Sequence, residues 1–356
     1  MLTLLRRLLI LGCLGFLLMN ASSAAFAQTA PGSLLVLPEG GRNFYTEAFA
    51  RAQREIRIEI CVLEDPILLE SLQAALRRGV RVRAIVDQGK YQASTHTDVN
   101  SEAANLKTYF TSAGGELHLS NRIFPRSFPK VILIDHREVL LGSACLDTLT
   151  FEVYRDFATR IRNDEVVKSL ARLFENDWVY SAPPDVTAPP FNPTPKVRQQ
   201  RLFISPVNAS AQMVALYQRA KKTLDVYSEL LGNSTLESEL AAAVARGVKV
   251  RLIAPIYVNN VPDPSIQALQ KQSLAQLKAV GVEVHVNGTD QSIGSPYLHA
   301  RAAIVDGREA YLGSISLSPD SITFNREVGL LLSDPAAIKQ LAQQFEMDFQ
   351  EATRTY

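Results

Sequence analysis

The sequence is poor in cysteine, in excess charge and in long apolar runs, and each shortage disfavours a class of protein. It has three cysteines and five histidines in 356 residues, and no group of them has the spacing of a zinc site. It has 37 basic and 36 acidic residues, so it lacks the overall positive field with which nucleic-acid-binding proteins collect their ligand. A local basic cleft remains an alternative.

The apolar run near the N-terminus is too short for a membrane-spanning helix. It covers residues 8–19, whereas a spanning helix needs about 20 apolar residues. Arg6 and Arg7 precede it, and Ala-Phe-Ala follows at 25–27, which is the pattern of a secretory signal peptide. We expect residues 1–27 to be removed and the mature chain to be periplasmic or secreted. An uncleaved anchor is the alternative.

Two cysteines, Cys61 and Cys145, remain after the signal peptide. Export permits a disulfide, but both cysteines lie in predicted core strands. Buried free thiols are therefore expected.

The chain contains a long internal repeat. Residues 128–178 align with 299–349 without a gap, and 14 of the 51 pairs are identical. Upstream, residues 78–83 align with 246–251 at a shift of 168 instead of 171. A repeat of this length indicates a duplicated domain and not a solenoid unit.

Each half alternates helices and strands. Glycines at 79 and 247 predict the ends of two amphipathic helices. The predicted helix and strand pairs are 67–78 with 80–86, 235–246 with 248–253, and 274–280 with 282–286. This order predicts an α/β sandwich in each half, with mixed, mainly parallel sheets.

Residues 181–200 separate the halves. Six of these twenty residues are proline, which disfavours sheet pairing and indicates a linker. We expect one domain over 34–180 and a second over 201–356, packed about a pseudo-twofold axis within a monomer.

A histidine motif occurs once in each half, and the first copy is degenerate. The second copy begins at His299 and reads HARAAIVDG, with Gly-Ser at 313–314. The first begins at Phe128 and reads FPKVILIDH, with Gly-Ser at 142–143. In a strand, residues two apart share a face, so His299 and Arg301 project together.

A carboxylate follows each motif by 28 residues. It is Glu327 after His299 and Asp156 after Phe128. We expect Glu327 to hold the His299 imidazole in one tautomer. An imidazole, a cation and hydroxyl donors together suit phosphoryl transfer.

The two motifs resemble those of the phospholipase D superfamily, whose members carry His-x-Lys-x4-Asp followed by Gly-Ser in each half. The resemblance covers nearly all of the chain after residue 27. It implies that two histidines meet between the halves. One forms a phosphohistidine, and the other protonates the leaving alcohol and then activates the acceptor. No metal or cofactor is implied.

The resemblance implies roles for eleven residues. The catalytic candidates are His299, Arg301, Glu327 and Lys130, with the two cations binding phosphate oxygens. The phosphate-pocket candidates are Ser143, Ser314 and Ser316, and the structural positions are Asp135, Asp306, Gly142 and Gly313.

The chain departs from the family pattern at several positions. The position two after each motif serine is often Asn in the family but is Cys145 and Ser316 here, and Asp156 stands in place of a Glu. Phe128 replaces the first histidine, and Arg301 replaces the second lysine, whose ammonium it does not copy. His136 could replace the lost imidazole, but its turn directs it away from the face of Phe128.

We expect an exported phospholipase D-like hydrolase or phosphatidyltransferase that acts on phospholipid and contacts the membrane peripherally. One alternative is a catalytically silent protein that binds a phosphate-bearing ligand or a partner. The other is an exported nuclease.

Overall fold

The computed structural model describes residues 34–91, 102–184, 186–191, 201–259, 261, 263–287 and 296–352. The expected signal peptide at 1–27 and the end of the expected linker at 192–200 lie outside these residues. Within the described ranges, no helix is long and apolar enough to cross a bilayer.

The first half runs from a short edge strand to a long closing helix. Its elements are β1 (Leu34–Leu37), α1 (Asn43–Arg51), β2 (Glu55–Ile60), α2 (Pro66–Arg77), β3 (Arg81–Val86), α3 (Gln88–Tyr91), α4 (Glu102–Ser112), β4 (Glu116–Leu119), β5 (Val131–Ile134), β6 (Glu138–Gly142), α5 (Thr148–Glu152), β7 (Tyr154–Ile161) and α6 (Asp164–Tyr180).

Within the described residues, the second half repeats this order with one short strand more and one short helix fewer. Its elements are β8 (Leu202–Ser205), α7 (Ala209–Gln218), β9 (Thr223–Tyr227), α8 (Ser234–Ala245), β10 (Lys249–Pro255), α9 (Pro264–Ala279), β11 (Glu283–Asn287), β12 (Tyr297–Leu298), β13 (Ala302–Val305), β14 (Glu309–Gly313), α10 (Pro319–Thr323), β15 (Glu327–Leu332) and α11 (Pro335–Glu351).

Each half forms one mixed sheet, and the two halves form an α/β duplicated fold. The strand orders are β1-β7-β6-β5-β2-β3-β4 and β11-β10-β9-β13-β14-β15-β8. Only β2-β3-β4 and β9-β10-β11 pair in parallel along these orders. The expectation of mainly parallel sheets was wrong because each motif strand returns as a hairpin, β5-β6 or β13-β14, and so pairs antiparallel.

Side-chain caps set the starts of several helices. Asp65 accepts a hydrogen bond from the Leu68 amide at the start of α2, and Asn233 accepts from the Leu236 amide at α8. Helix α9 begins ten residues before its predicted start at 274, because Asp263 caps it and Pro264 occupies its first turn.

The two halves share a core. One apolar cluster includes Val131 and Leu133 of β5 together with Ala302 and Ile304 of β13. The motif strands therefore face each other across the interface, as the pseudo-twofold arrangement predicts. Separate clusters fill the outer part of each half.

The segment before each motif crosses to the other half. Strand β12 pairs with β7, placing Tyr297 beside Tyr154 and Leu298 beside Arg155. In the symmetry-related place, Ser127 forms a parallel bridge with Arg326. Each motif residue is thus delivered next to the carboxylate-bearing strand of the opposite half.

Cys61 and Cys145 form a disulfide, so the expectation of free thiols was wrong. Cys61 follows β2, and Cys145 lies just after β6. Both strands end at the same edge of the sheet, which brings the two Cα atoms to 6.1 Å, within bonding range. The predicted burial of each cysteine did not reveal this shared edge.

Candidate active site

His299 lies at the interface of the halves, just after β12. Its backbone N–H donates to the Arg155 carbonyl at 3.2 Å, and its side chain is 13% exposed. Its Nδ1 lies 2.7 Å from Asp156 Oδ2, and its Nε2 lies 3.1 Å from Arg301 Nη1. Because a guanidinium can only donate, Nε2 is the acceptor and Nδ1 carries the proton toward Asp156.

The carboxylate that contacts His299 is Asp156 of the first half, so the expectation that Glu327 would do so was wrong. Glu327 Oε1 instead accepts from Ser321 Oγ at 2.5 Å and from Asn325 Nδ2 at 3.3 Å. Strand β12 of the second half pairs with β7 of the first, which explains why Asp156 and not Glu327 contacts His299. Equal spacing in the sequence does not distinguish pairing within a half from pairing between halves.

Asp156 is fully buried and has hydrogen bonds on both oxygens. Its Oδ1 accepts from Ser143 Oγ at 2.5 Å, and its Oδ2 faces His299. Burial raises the pKa of Asp156 to about 7, against the opposing effect of the Lys130 and Arg301 charges. In its ionised form it orients the imidazole.

His299 is neutral around pH 7. Burial lowers its pKa well below the usual value, and the positive charges of Arg301 and Lys130 add to this effect. The ring stacks on Tyr154, with the centroids 5.2 Å apart. The result is an oriented imidazole with a lone pair on Nε2.

Arg301 is buried and anchored at several points. Its Nε donates to Ser316 Oγ at 3.0 Å, its Nη1 donates to the His299 carbonyl at 2.5 Å, and its Nη2 donates to the Glu229 carboxylate. A planar fork suits this set of partners better than an ammonium would. The replacement of lysine by arginine therefore fits its surroundings.

Glu229 is a site residue that the sequence reasoning missed. Besides Arg301, it accepts from the Tyr297 hydroxyl at 3.0 Å, and its Oε2 lies 3.9 Å from His299 Nε2. A signal existed, because Glu229 lies two residues after the buried strand β9, at the carboxyl edge of parallel strands, where ligands of α/β sheets bind.

The equivalent positions in the first half hold the disulfide. At the shift of 168, Glu229 corresponds to Cys61, and at the shift of 171, Ser316 corresponds to Cys145. The second half thus places a carboxylate and a hydroxyl around Arg301, where the first half has a sulfur bridge.

Lys130 reaches the site from the first half. It is 4% exposed, and its Nζ donates to the Ser143 carbonyl at 2.6 Å. Burial, followed by the Arg301 charge, lowers its pKa to about 7, while Asp156, Glu229 and Glu327 oppose this shift. A phosphate bound nearby would favour its charged form.

The two Gly-Ser pairs hold strands together. Ser143 Oγ accepts from the Phe157 amide at 3.0 Å, and Ser314 Oγ accepts from the Val328 amide at 3.1 Å. A Cβ on Gly142 would lie 2.0 Å from the Phe157 carbonyl oxygen, and one on Gly313 would lie 2.3 Å from Gly329 Cα. Only glycine fits these close approaches of two backbones.

The two motif aspartates bind backbone away from His299. Asp135 accepts from the amides of residues 53–55, and Asp306 accepts from those of 221–223. Each ties the turn of its motif hairpin to the strand beside it.

Phe128 occupies the position of the missing histidine. Its N–H donates to the Arg326 carbonyl at 2.7 Å, and its ring packs against the first-half core and beneath the Arg126 guanidinium. His136 lies at the opposite end of β5, against Arg57 and Glu55, so it does not replace the lost imidazole.

Known proteins resemble this chain in sequence over most of its length. A family model described as cardiolipin synthase, phospholipase D-like domain, matches residues 45–178 and 213–349. A cardiolipin synthase of Geobacillus kaustophilus (strain HTA426) is 24% identical over 339 residues, which covers 88% of this chain and 65% of that protein. Cardiolipin synthase B of Salmonella typhi is 24% identical over 336 residues, covering 85% and 77%. The chain thus spans just under two thirds of the length of the first of these relatives.

Two solved structures show the same fold. A phosphatidylserine synthase of Haemophilus influenzae Rd KW20 superposes with a TM-score of 0.68 at 18% identity, covering 90% of this chain and 87% of that one. A polyphosphate kinase of Porphyromonas gingivalis has a TM-score of 0.64 at 17% identity, covering 89% and 50%. At these identities the likeness concerns the fold alone.

Proposed function

The chain belongs to the phospholipase D superfamily, and from this premise we propose that it is a phosphatidyltransferase or phosphodiesterase acting on phospholipid through His299. The cardiolipin synthases among its relatives support a phospholipid substrate. The observation that carries the proposal is the neutral His299, whose Nδ1–H is held by Asp156 and whose Nε2 lies beside Arg301.

In the proposed reaction, His299 Nε2 attacks the phosphorus of the phosphodiester. The new N–P bond forms as the bond from phosphorus to the leaving oxygen breaks. Asp156 stabilises the positive charge that develops on the imidazole. Lys130, together with Arg301, offsets the negative charge on the phosphate oxygens. Water or an alcohol then takes the phosphatidyl group from the histidine.

Trapping the covalent intermediate tests this proposal. We expect protein mixed with vesicles of radiolabelled phospholipid and quenched in base to carry label on His299. His299→Ala should abolish the label. His118→Phe is a matched control, because His118 stacks on Trp178 and bonds Ser181 outside the site. Equal labelling of the His299→Ala protein would overturn the proposal.

A second candidate is a silent protein that binds a phosphate-bearing ligand in the same place. Phe128 favours this candidate, because its ring cannot transfer a proton, and loss of a general acid costs about 10²–10⁴ in rate. Saturable binding of phospholipid without label on His299 and without turnover would support it.

We further propose that the chain is exported, acts as a monomer with an internal pseudo-dimer, and touches the membrane only peripherally. The arginines and apolar run within residues 1–27 support export. Mass spectrometry of the mature protein should find Gln28 at its N-terminus, and sedimentation should give one chain per particle. An N-terminus at residue 1 in the exported fraction would contradict cleavage.

A further inference from the structure

We propose, on the basis of the function above, that Glu327 transfers the proton that the missing histidine would otherwise carry. It would donate to the leaving oxygen in the first step and accept from the acceptor hydroxyl in the second. The proposal gives a role to a buried carboxyl group that does not contact His299.

Glu327 and Asp156 are symmetry-related but differ in their partners. Asp156 is bonded on both oxygens, by Ser143 and His299. Glu327 is 1% exposed, and its Oε1 is bonded by Ser321 and Asn325. Within the described part of the chain, its Oε2 has no hydrogen-bond partner.

The loss of the histidine explains this unpartnered oxygen. The backbone of Phe128 is bonded to Arg326, directly before Glu327, as that of His299 is bonded to Arg155, directly before Asp156. An imidazole at 128 would offer an N–H to Glu327, but the Phe128 ring offers none. A buried carboxylate oxygen without a donor is costly, and a proton on that oxygen relieves the cost.

The surroundings of Glu327 suit a group that both gives and takes a proton. The charged and titratable side chains that act on it are Lys130 and Arg301 from the two motifs and Tyr311 of β14. Burial raises the pKa of Glu327 to about 7, while the Ser321 hydrogen bond and the two cations oppose this shift. A pKa near the working pH is the optimum for general acid-base catalysis.

The proton balance is complete in both steps. As His299 Nε2 bonds to phosphorus, the electron pair of the breaking P–O bond stays on the leaving oxygen, which takes the Glu327 proton and departs as an alcohol. In the second step, the acceptor oxygen bonds to phosphorus and its proton returns to the Glu327 carboxylate. The electron pair of the N–P bond returns to Nε2.

The test compares Glu327→Gln on two substrates, phospholipid in vesicles and a soluble phosphodiester with a nitrophenol leaving group. An alkoxide needs a proton as it leaves, but nitrophenolate does not. We expect Glu327→Gln to slow the first step, measured as release of the leaving group in a single turnover, by about 10²–10⁴ on phospholipid and by no more than about fivefold on the nitrophenyl ester. The second step needs the Glu327 carboxylate with either substrate, so it should slow equally on both. Equal losses in the first step on both substrates would indicate a structural role and overturn the proposal.

The pH profile gives a second readout. Because the acid form of Glu327 is required, kcat on phospholipid should fall as the pH rises through about 7, where burial places its pKa, and Glu327→Gln should remove this fall. Ser321→Ala keeps the carboxyl group but removes a hydrogen bond that lowers its pKa, so the fall should move to higher pH. This variant tests the proposal even if Glu327→Gln folds poorly.

Failure of the proposal is distinguishable from failure of the function. If the fall above pH 7 persists in Glu327→Gln and appears on both substrates, Lys130 is the group that titrates and Glu327 is not the donor. If His299→Ala turns over both substrates at the normal rate, the function itself is wrong.

Discussion

The two halves supply different residues to the site. The second half supplies the imidazole, the anchored Arg301 and its partner Glu229. The first half supplies Asp156 and Lys130, but it has Phe128 in place of an imidazole. The hydrogen bond between His299 and Asp156 therefore joins the two halves, and neither half contains the site alone.

Restoring the lost imidazole is the direct test of this asymmetry. By symmetry with His299 and Asp156, Phe128→His should place a ring N–H against Glu327. We expect turnover of phospholipid to rise by about tenfold or more, because an imidazole is an efficient general acid, and turnover of a nitrophenyl ester to rise less. Phe128→Leu is the control, since it removes the ring without adding a proton carrier. An equal rise in the Leu variant would contradict the prediction.

At the scale of elements, two buried arginines tie strands of one half to the closing helix of the other. Arg326, at the start of β15, lies 3.0 Å from Asp177 of α6. Arg155 of β7 lies 3.1 Å from Asp348 of α11. Each arginine directly precedes a carboxylate of the site, so these ion pairs hold Glu327 and Asp156 in position.

The surroundings of the two ion pairs differ, and within the described residues only Arg155 also bonds an exposed carboxylate, that of Glu39. Tyr227 donates to Asp348 at 2.7 Å, whereas Glu59 has the equivalent place beside Asp177. Burial, followed by the charge of Asp177, raises the pKa of Glu59 well above its usual value. The pair around Arg326 therefore contains one buried acid more than the pair around Arg155.

We predict that Arg326→Met lowers the free energy of unfolding by about 3–5 kcal/mol at pH 8, because the buried Asp177 loses its counter-charge. A raised folded-state pKa means that stability is full below the unfolded-state pKa and is lost as the pH rises through the folded-state value. Without Arg326 these pKa values rise further, so the loss should be smaller at pH 5. Urea unfolding at pH 5 and pH 8 measures the loss of unfolding free energy. Arg155→Met is the comparison variant, and its loss should depend less on pH. If the loss in Arg326→Met is the same at both pH values, the prediction is wrong.

At the scale of the whole molecule, the shared core makes the two halves one folding unit. Strands β5 and β13 contribute to the same apolar cluster, and β12 of the second half pairs with β7 of the first. The disulfide lies in the first half alone. Its two cysteines are 84 residues apart in sequence.

We predict that replacing both cysteines, Cys61→Ser with Cys145→Ser, destabilises the whole chain and not the first half alone. A disulfide that closes a loop of about 85 residues lowers the entropy of the unfolded chain, which contributes roughly 4–5 kcal/mol to stability at 25 °C. Trp178 fluorescence reports on α6 of the first half, and far-ultraviolet circular dichroism reports on all helices. The two thermal transitions should shift down together and coincide. Two separated transitions would show that the halves unfold independently.

The sequence by itself determined the duplication, the α/β class and the motif that makes His299 the catalytic candidate. These features depend on spacing within a strand or turn, which local geometry sets. It did not determine which carboxylate holds His299, what anchors Arg301, or that Cys61 meets Cys145. Those contacts join residues 72–143 positions apart and depend on which strands end at the same edge and which segments cross between the halves. Only the tertiary structure decides that crossing, because the same local pattern in each half is compatible with pairing inside a half or between halves.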